Sequence, residues 1–222
     1  PSALLAVSGA ELVLLAGPVS ATENTLKAIR HLLDPRMLIM DVGSTKRDVV
    51  DAARRVLKND VGLFVPAHPI AGGEVSGVEY ADASLYTGRQ VILTPIERTL
   101  SANIERAEAL WRALDCTVER MSPEAHDAAF AAVSHLPHLI AFALMNSITT
   151  QEDGEKFLSL AGPGFRDFSR IAASDPQLWR DVLIANREEL SRQTDVFKQA
   201  LGEFDRLLSE GRSDALERLI NR

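Results

Sequence analysis

The stretch ELVLLAGPVSATENTLKAIRHLLDPRMLIMDV (11–42) decides the fold of this 222-residue chain. It opens with a continuous apolar run (11–18) that ends in Gly-Pro, which is typical of a fully buried strand in a parallel sheet. Residues 20–33 follow as a helix with one apolar face, and 37–42 is a second apolar run. This order predicts a strand-helix-strand unit.

The alternation of strands and helices continues as far as Met121. The pattern predicts helices at 45–58 and 99–114 and strands at 61–70, 89–95 and 116–121. The predicted inward face of the helix at 45–58 consists of Val49, Ala52, Ala53, Val56 and Leu57. We therefore expect residues 1–121 to form a doubly wound α/β domain with a parallel sheet.

From Ser122 the sequence is helical almost to its end, which predicts an all-α second domain over 122–222. Its first segment, 122–148, begins with Ser-Pro-Glu and is apolar on nearly every side, as a buried helix is. A subunit interface is one way to bury such a helix. The pattern then predicts a loop at 161–169, a helix from 174 to about 208, and a short helix at 212–221.

The composition narrows the range of partners. The formal net charge is −7 and the basic residues are scattered among acids, so neither a nucleic acid nor an anionic membrane surface is an expected partner. The single cysteine, Cys116, excludes an internal disulfide and favours a reducing, cytoplasmic compartment. No apolar run approaches the ~18 residues that a membrane span needs, so no membrane association is expected.

Two loops lie at the carboxyl ends of predicted parallel strands, where open α/β sheets bind ligands. They are AGPVSATE (16–23) and DVGSTK (41–46). In the second loop Gly43 permits a tight turn, and Ser44 places a hydroxyl near a helix start, where backbone N–H groups favour an anion or an oxygen ligand. An ordinary turn with a capping serine would look the same.

The segment HPIAGGEVSG (68–77) follows the third predicted strand. His68 therefore lies beside the two ligand-type loops, and a neutral imidazole there can accept a proton. Glu74 could hydrogen-bond a substrate group. The alternative is a loop histidine satisfied by the backbone, but the neighbouring loops favour a functional role.

A third group comes from the helical half, in SHLPH (134–138) and GFRDFSRIA (164–172). An arginine beside an apolar segment suits a two-point grip on a carboxylate. The histidines could instead form a core pair, or a metal site made by His126, His135 and His138. That set lacks the i, i+4 spacing of a helical metal pair, so we expect no metal.

At these residues the sequence resembles the prephenate/arogenate (cyclohexadienyl) dehydrogenase family of tyrosine biosynthesis. The similar segments run in order along nearly the whole chain: AGPV (16–19), DVGSTK (41–46), HPIAGGEVSGVEYA (68–81), VILTP (91–95), SHLPHLIAFAL (134–144) and GFRDFSRIAASDPQLW (164–179). The resemblance implies a Rossmann-type domain followed by a helical domain that forms a homodimer. It also implies oxidative decarboxylation of prephenate or arogenate, with hydride transfer to NAD or NADP.

The resemblance also implies roles for individual residues. His68 would be the base that takes the ring-hydroxyl proton, with Ser44 supporting both groups. Four residues would bind substrate, namely Arg170 at a carboxylate, His138 lining the pocket, and Glu74 and Gly73 near the side chain. Five residues would contact the cofactor: Gly17, Pro18, Val19, Gly43 and Ser44.

One departure from the family pattern concerns the phosphate-binding loop. No GxGxxG occurs in the sequence, although the family carries one in the first βαβ unit of its Rossmann domain. We therefore expect that first unit to precede this chain, which makes the chain N-terminally incomplete. The residue that distinguishes the ribose of NAD from that of NADP would lie there, so both cofactors remain open. The sequence also leaves open the choice between prephenate and arogenate and any feedback inhibition by tyrosine.

Two other readings compete with this one. The first is another oxidoreductase with a Rossmann and a helical domain, of the hydroxy-acid dehydrogenase type. Those enzymes use a catalytic lysine in the helical domain, and 122–150 contains none. The second is a catalytically incomplete dimerising fragment. This reading would be favoured if the full-length protein failed to bind any nicotinamide cofactor.

Overall fold

The first half of the chain is a three-layer α/β structure. The computed structural model describes residues 3–72 and 78–222. After a short helix α1 (Ala3–Val7), strands β1 (Leu12–Leu15), β2 (Leu38–Asp41) and β3 (Phe64–Val65) form a parallel sheet in that order. The strand-helix-strand unit predicted over 11–42 is confirmed.

Strand β1 is not fully buried, contrary to the prediction. Within the described residues it lies at the edge of its sheet. Val13 faces the core, but Leu12 and Leu14 are 39% and 44% exposed. Successive strand side chains point to opposite faces, so a continuous apolar run cannot by itself report burial on both.

A second sheet carries the strands β4 (Ala67–Pro69), β5 (Gln90–Leu93) and β6 (Thr117–Arg120). Strand β4 is antiparallel to β5, and β5 is parallel to β6, so the all-parallel prediction is wrong at the β4–β5 pair. An antiparallel pair needs no crossover helix, and in the described part of 70–89 only a 3-10 turn (Val78–Tyr80) is present.

The predicted strand at 61–70 is also divided. Its first residues belong to a 3-10 segment (Lys58–Leu63), and Pro66 separates β3 from β4. Proline has no N–H to donate to a sheet, although the Pro66 carbonyl accepts a hydrogen bond from the Thr94 N–H at 2.9 Å. After this break β4 pairs with β5, which places His68 opposite Ile92.

Helices cover both faces of the strands. On one face lie α2 (Thr22–Ile29) and α3 (Arg47–Leu57), and on the other lies α4 (Ser101–Ala113). The predicted inward face of α3 is confirmed, since all five of its residues are buried. Trp111 of α4 packs with Met40 and Leu93 in the second core cluster.

The second half is helical, as predicted. A continuous helix over 123–149 consists of α5 (Pro123–Phe130), a π-helical turn (Ala131–His135) and α6 (Leu136–Thr149). It is followed by α7 (Gly154–Ser159), α8 (Pro163–Ser169), a 3-10 turn (Arg170–Ala173), α9 (Pro176–Ala185), α10 (Arg187–Ser209) and α11 (Ser213–Ile220). The predicted loop at 161–169 is therefore mostly helix, and the helix predicted from 174 is interrupted at Asn186.

Few residues of the apolar helix over 123–149 are fully buried in the single chain, and Val133 is 72% exposed. By length and composition alone it could cross a membrane, which corrects the expectation that no segment is long and apolar enough. The same composition also suits a helix that another subunit covers.

Candidate active site

A cleft of about 690 Å³ opens at the carboxyl ends of β1 and β2. The loops after these strands line one side, and α9 lines the other with Gln177, Leu178 and Asp181 among its residues. The structure brings together here the five residues predicted to contact a cofactor: Gly17, Pro18, Val19, Gly43 and Ser44. Ligands bind in this position in open α/β sheets.

Gly43 is required by close packing within this cleft. A Cβ at Gly43 would lie 2.7 Å from Val19 Cγ1 and 3.0 Å from Asp41 Oδ2. The Gly43 N–H donates to Asp41 Oδ2 at 2.8 Å. At Gly17, by contrast, an added Cβ would meet no atom within 4 Å.

A buried ion pair lies beneath the loops. The Lys46 ammonium contacts Asp41 Oδ2 and donates to the Ala67 carbonyl at 2.7 Å. The Ala67 N–H donates in turn to Asp41 Oδ1 at 3.1 Å. A buried ion pair is tolerated when its remaining hydrogen bonds are made, as they are here. The network joins the end of β2 to the start of β4 and so fixes the backbone beside His68.

His68 begins a line of three side chains. Its Nδ1 lies 2.8 Å from His126 Nε2, and His126 Nδ1 lies 2.8 Å from Asp127 Oδ1. His126 and Asp127 are buried, and His68 is partly buried. The Phe130 ring lies 4.8 Å from that of His68 and stacks on that of His126 at 4.4 Å. The helical half therefore supplies the protein contacts of the His68 ring.

Both imidazoles are held neutral. Burial holds the pKa of His68 well below 6.5, and the neighbouring His126, Lys46 and His135 act in the same direction. Burial also lowers the pKa of His126, although the Asp127 carboxylate opposes this shift. A neutral His68 can act as a proton acceptor.

A second group of predicted residues meets on the helical half. His138 Nδ1 lies 2.9 Å from the Ser134 carbonyl oxygen, which can only accept, so Nδ1 carries the proton and donates it. Its ring stacks on Trp179 with centroids 3.5 Å apart. Burial lowers the pKa of His138, and the nearby Arg170 cation contributes to the shift while the Ser134 carbonyl opposes it. His138 and Arg170 therefore act within one electrostatic neighbourhood.

The structure does not join every predicted site residue to His68. In the ranges 3–72 and 78–222, no hydrogen bond links Ser44 to His68, whose Nδ1 is engaged by His126. The support of His68 by Ser44 thus stays a prediction. Gly73 and Glu74 lie outside the described residues.

The three histidines of the metal alternative are held by protein groups instead. His126 contacts Asp127, His138 contacts the Ser134 carbonyl, and His135 Nδ1 lies 3.1 Å from Asn186 Nδ2. Across the described part of the chain, no group of three histidine, cysteine or acidic side chains could hold a metal ion. Asn186 also donates to the Asp127 carbonyl at 2.8 Å, which explains the helix break there.

Sequence reasoning missed Lys46, His126 and Asp127 as parts of this site. Lys46 is the last residue of the DVGSTK loop, so its position could have suggested a role in the site. His126 lies 58 residues from its partner His68, and no local pattern reports a contact over that distance.

A Rossmann-type sheet with a ligand cleft at its strand ends, followed by helices, defines a nucleotide-binding α/β protein with a helical second domain. Family comparison makes this specific. Residues 1–120 match the family described as prephenate dehydrogenase, nucleotide-binding domain, and residues 122–222 match prephenate dehydrogenase, dimerization domain. The chain belongs to the prephenate dehydrogenase family.

Individual relatives agree with this assignment. The chain is 35% identical to the prephenate dehydrogenase of Bacillus subtilis over 96% of its own length and 57% of the relative. The crystal structure of Aquifex aeolicus prephenate dehydrogenase with hydroxyphenyl propionate and NAD+ is 35% identical, with a TM-score of 0.88 over 95% of this chain and 73% of that one. Synechocystis arogenate dehydrogenase is 26% identical, with a TM-score of 0.83 over 99% and 78%. The chain thus spans little more than half of the Bacillus relative.

Proposed function

We propose that the full-length protein containing this chain catalyses the oxidative decarboxylation of prephenate or arogenate, which yields 4-hydroxyphenylpyruvate or tyrosine. The observation that carries the proposal is His68 at the strand ends, where its Nδ1 lies 2.8 Å from His126 Nε2 and burial favours its neutral form. Family membership and the Aquifex complex with NAD+ support the same chemistry.

In this reaction His68 takes the proton from the ring hydroxyl of the substrate. The bound nicotinamide, of NAD or NADP, supplies the acceptor for the hydride that leaves the hydroxyl-bearing carbon. The ring carboxylate then departs as carbon dioxide and its bonding electrons complete the aromatic ring. His68 returns its proton to the resulting phenolate oxygen, so that proton and charge balance, and Ser44 hydrogen-bonds the hydroxyl.

The substrate would be held by residues of both halves. Arg170 binds a substrate carboxylate by charge-assisted hydrogen bonds, and His138 lines the pocket beside it. The family resemblance assigns Gly73 and Glu74 to the substrate side chain. Fixing the substrate in this way supplies the positioning on which the reaction depends.

The cleft at β1 and β2 fits part of a dinucleotide. Gly17, Pro18, Val19, Gly43 and Ser44 present backbone and hydroxyl groups there, and Gly43 keeps the loop close to Val19. A loop of this kind lets backbone approach a ligand without a side chain in between.

We also propose that the protein is a cytoplasmic homodimer formed through the helical domain, with neither a nucleic acid nor a membrane as partner. The exposed apolar helix over 123–149 and the family description of residues 122–222 support the dimer. The net charge of −7 argues against binding to polyanions.

The test is a side-by-side assay of the full-length protein with prephenate and arogenate, each with NAD+ and NADP+. Reduced cofactor and carbon dioxide should appear in equal amounts with at least one combination. Cofactor binding without turnover of either substrate would contradict the proposal and favour a different oxidoreductase. No cofactor binding at all would favour the non-catalytic alternative.

A further inference from the structure

We propose that His126 and Asp127 are positioning residues for His68, which fix its imidazole with the proton on Nδ1 and leave Nε2 open as the proton acceptor. The catalytic consequence rests on the proposed function. The tautomer itself is a property of the folded chain and can be measured without any substrate.

Asp127 accepts three hydrogen bonds. Its Oδ1 accepts from the Lys46 N–H at 2.8 Å and lies 2.8 Å from His126 Nδ1, and its Oδ2 accepts from the Arg47 N–H at 2.9 Å. Burial alone would raise the pKa of Asp127, but these hydrogen bonds outweigh it and hold the pKa below its usual value. An ionised carboxylate has no proton to donate, so His126 Nδ1 must be the donor.

The proton on His126 Nδ1 determines the next position. A neutral imidazole carries one proton, so His126 Nε2 has a lone pair and can only accept. Its neighbour at 2.8 Å, His68 Nδ1, must therefore carry a proton. Because His68 is also neutral, its Nε2 is left with the free lone pair that a general base needs.

The same carboxylate also completes a helix. The N–H groups of Lys46 and Arg47 belong to the start of α3, where no side chain of the helix start itself caps them. Asp127 satisfies both from 81 and 80 residues away. The positive end of a helix stabilises an anion, so α3 helps to keep Asp127 ionised, and Asp127 keeps α3 in place against His126.

The line also stabilises the charge that forms in the reaction. When Nε2 takes the substrate proton, His68 becomes a cation whose Nδ1–H points at His126, and the His126 Nδ1–H points at the Asp127 carboxylate. The proton stays on His68, and Asp127 stays ionised, because the line works by orientation and charge rather than by transfer. Phe130 stacks on the His126 ring and packs at a tilt of 57° against the His68 ring, so it restrains both imidazoles.

The first test replaces Asp127 by Asn in the full-length protein. Asn can donate to His126 Nδ1, which would reverse both tautomers, so kcat should fall about 10²-fold or more while KM changes little. The charged and titratable groups around His68 are His126 and Asp127 of α5, Lys46, Asp41 of β2, and His135. Loss of the one negative charge nearest His126 should move the acidic limb of kcat/KM to lower pH. A merely structural role would reduce the active fraction without moving that limb.

The matched control is Asp48→Asn. Asp48 is another largely buried carboxyl group in the first turn of α3, and burial raises its pKa, but it does not contact His126. We expect kcat within about threefold of wild type and an unchanged acidic limb. Equal losses in the two variants would contradict the assignment of Asp127.

A second pair of variants covers the case in which Asp127→Asn does not fold. His126→Gln can place an amide oxygen where Nε2 stood and so still accept from His68, whereas His126→Phe keeps the stacking but offers no acceptor. We expect kcat of the Gln variant to exceed that of the Phe variant by about tenfold or more. Wild-type activity in the Phe variant would overturn the proposal.

The tautomer is read directly by nitrogen NMR of histidine-labelled protein without ligands. His68 should show a protonated Nδ1 and an unprotonated Nε2, and Asp127→Asn should reduce or reverse that difference. A protonated Nε2 in the wild type would overturn the inference whatever the activity. The expected tautomer in a protein that turns over neither prephenate nor arogenate would instead count against the proposed function alone.

Discussion

At the scale of single residues, the chain distinguishes its five histidines by their contacts. His31 is exposed on the first half, whereas the other four meet buried or aromatic partners. His135 and His138 are held by Asn186 and the Ser134 carbonyl, and His126 is held at both nitrogens. His68 is partly buried, and its Nε2 makes no hydrogen bond within residues 3–72 and 78–222.

The role of His68 predicts the behaviour of His68→Asn. Asn has no titrating nitrogen, so kcat should fall by about 10² to 10⁴-fold while the dissociation constant for substrate changes little. Steady-state kinetics and equilibrium binding of substrate measure the two quantities. His31→Asn is the matched control and should retain kcat. Turnover at the wild-type rate in His68→Asn would remove His68 from the mechanism.

The low pKa of His68 predicts the pH dependence of the reaction. The base must be neutral, and burial, His126, Lys46 and His135 all favour its neutral form. The acidic limb of kcat/KM should therefore lie well below pH 6.5, so activity at pH 6.5 should match that at neutral pH and fall only at lower pH. A profile that falls by half above pH 6.5 would contradict this.

The melting temperature must be followed over the same pH range. Burial lowers the pKa of His135 to about 4, so the unfolded chain binds that proton at a higher pH than the folded one does. Stability is then fully present above about pH 6.5 and falls as the pH drops towards 4. Kinetic points count only where the protein remains folded.

At the scale of elements, the loop after β2 gives a prediction about its glycine. Gly43→Ala forces a Cβ to 2.7 Å from Val19 Cγ1, so the loop must move. The free energy of unfolding should fall by about 1–3 kcal/mol in urea denaturation, and cofactor binding should weaken with it. Gly17→Ala is the matched control for stability, because its Cβ meets nothing within 4 Å. Equal stability of both variants would show that the loop adapts at no cost.

Elements whose pattern is local could be predicted from the sequence. The inward face of α3 follows from the helical spacing of Val49, Ala53 and Val56, and the Ser122 cap accepts the Ala125 N–H at 3.1 Å as its Ser-Pro-Glu signal suggests. The antiparallel β4 could not be predicted, because VGLFVPAHPI is apolar throughout and hides the break at Pro66. The break at Asn186 depends on Asp127 and His135, far away in sequence.

The same distinction between local pattern and long-range packing applies to the candidate site. Its loops lie at strand ends, which pattern and topology locate, so His68, Gly43 and Ser44 could be singled out. Its supporting groups could not, because Lys46 and Asp127 become part of the site only through long-range packing. The sequence shows that Lys46 is a lysine near a loop, but only the fold shows that it is buried against Asp41.

At the scale of the whole molecule, the exposed apolar face of α10 leads to a prediction about assembly. Leu201 and Leu208 are 55% and 62% exposed, lie seven residues apart on one helix face, and line a groove with Phe204. Leu201→Glu combined with Leu208→Glu should shift the full-length protein from dimer to monomer in light scattering after size exclusion. Leu114→Glu, at an exposed leucine at the end of α4, should leave the mass unchanged. A wild-type mass in the double variant would place the interface elsewhere.

The capping of α3 by Asp127 bears on how far the two domains are interchangeable. A chimaera that joined this nucleotide-binding half to a foreign helical half at residue 121 would lose His126 and Asp127, and with them both the orientation of His68 and the closure of α3. Such a chimaera would keep an oriented His68 only if the foreign half supplied equivalents of His126 and Asp127. The proposed base and the residues that position it therefore lie on opposite sides of the boundary between the two domains.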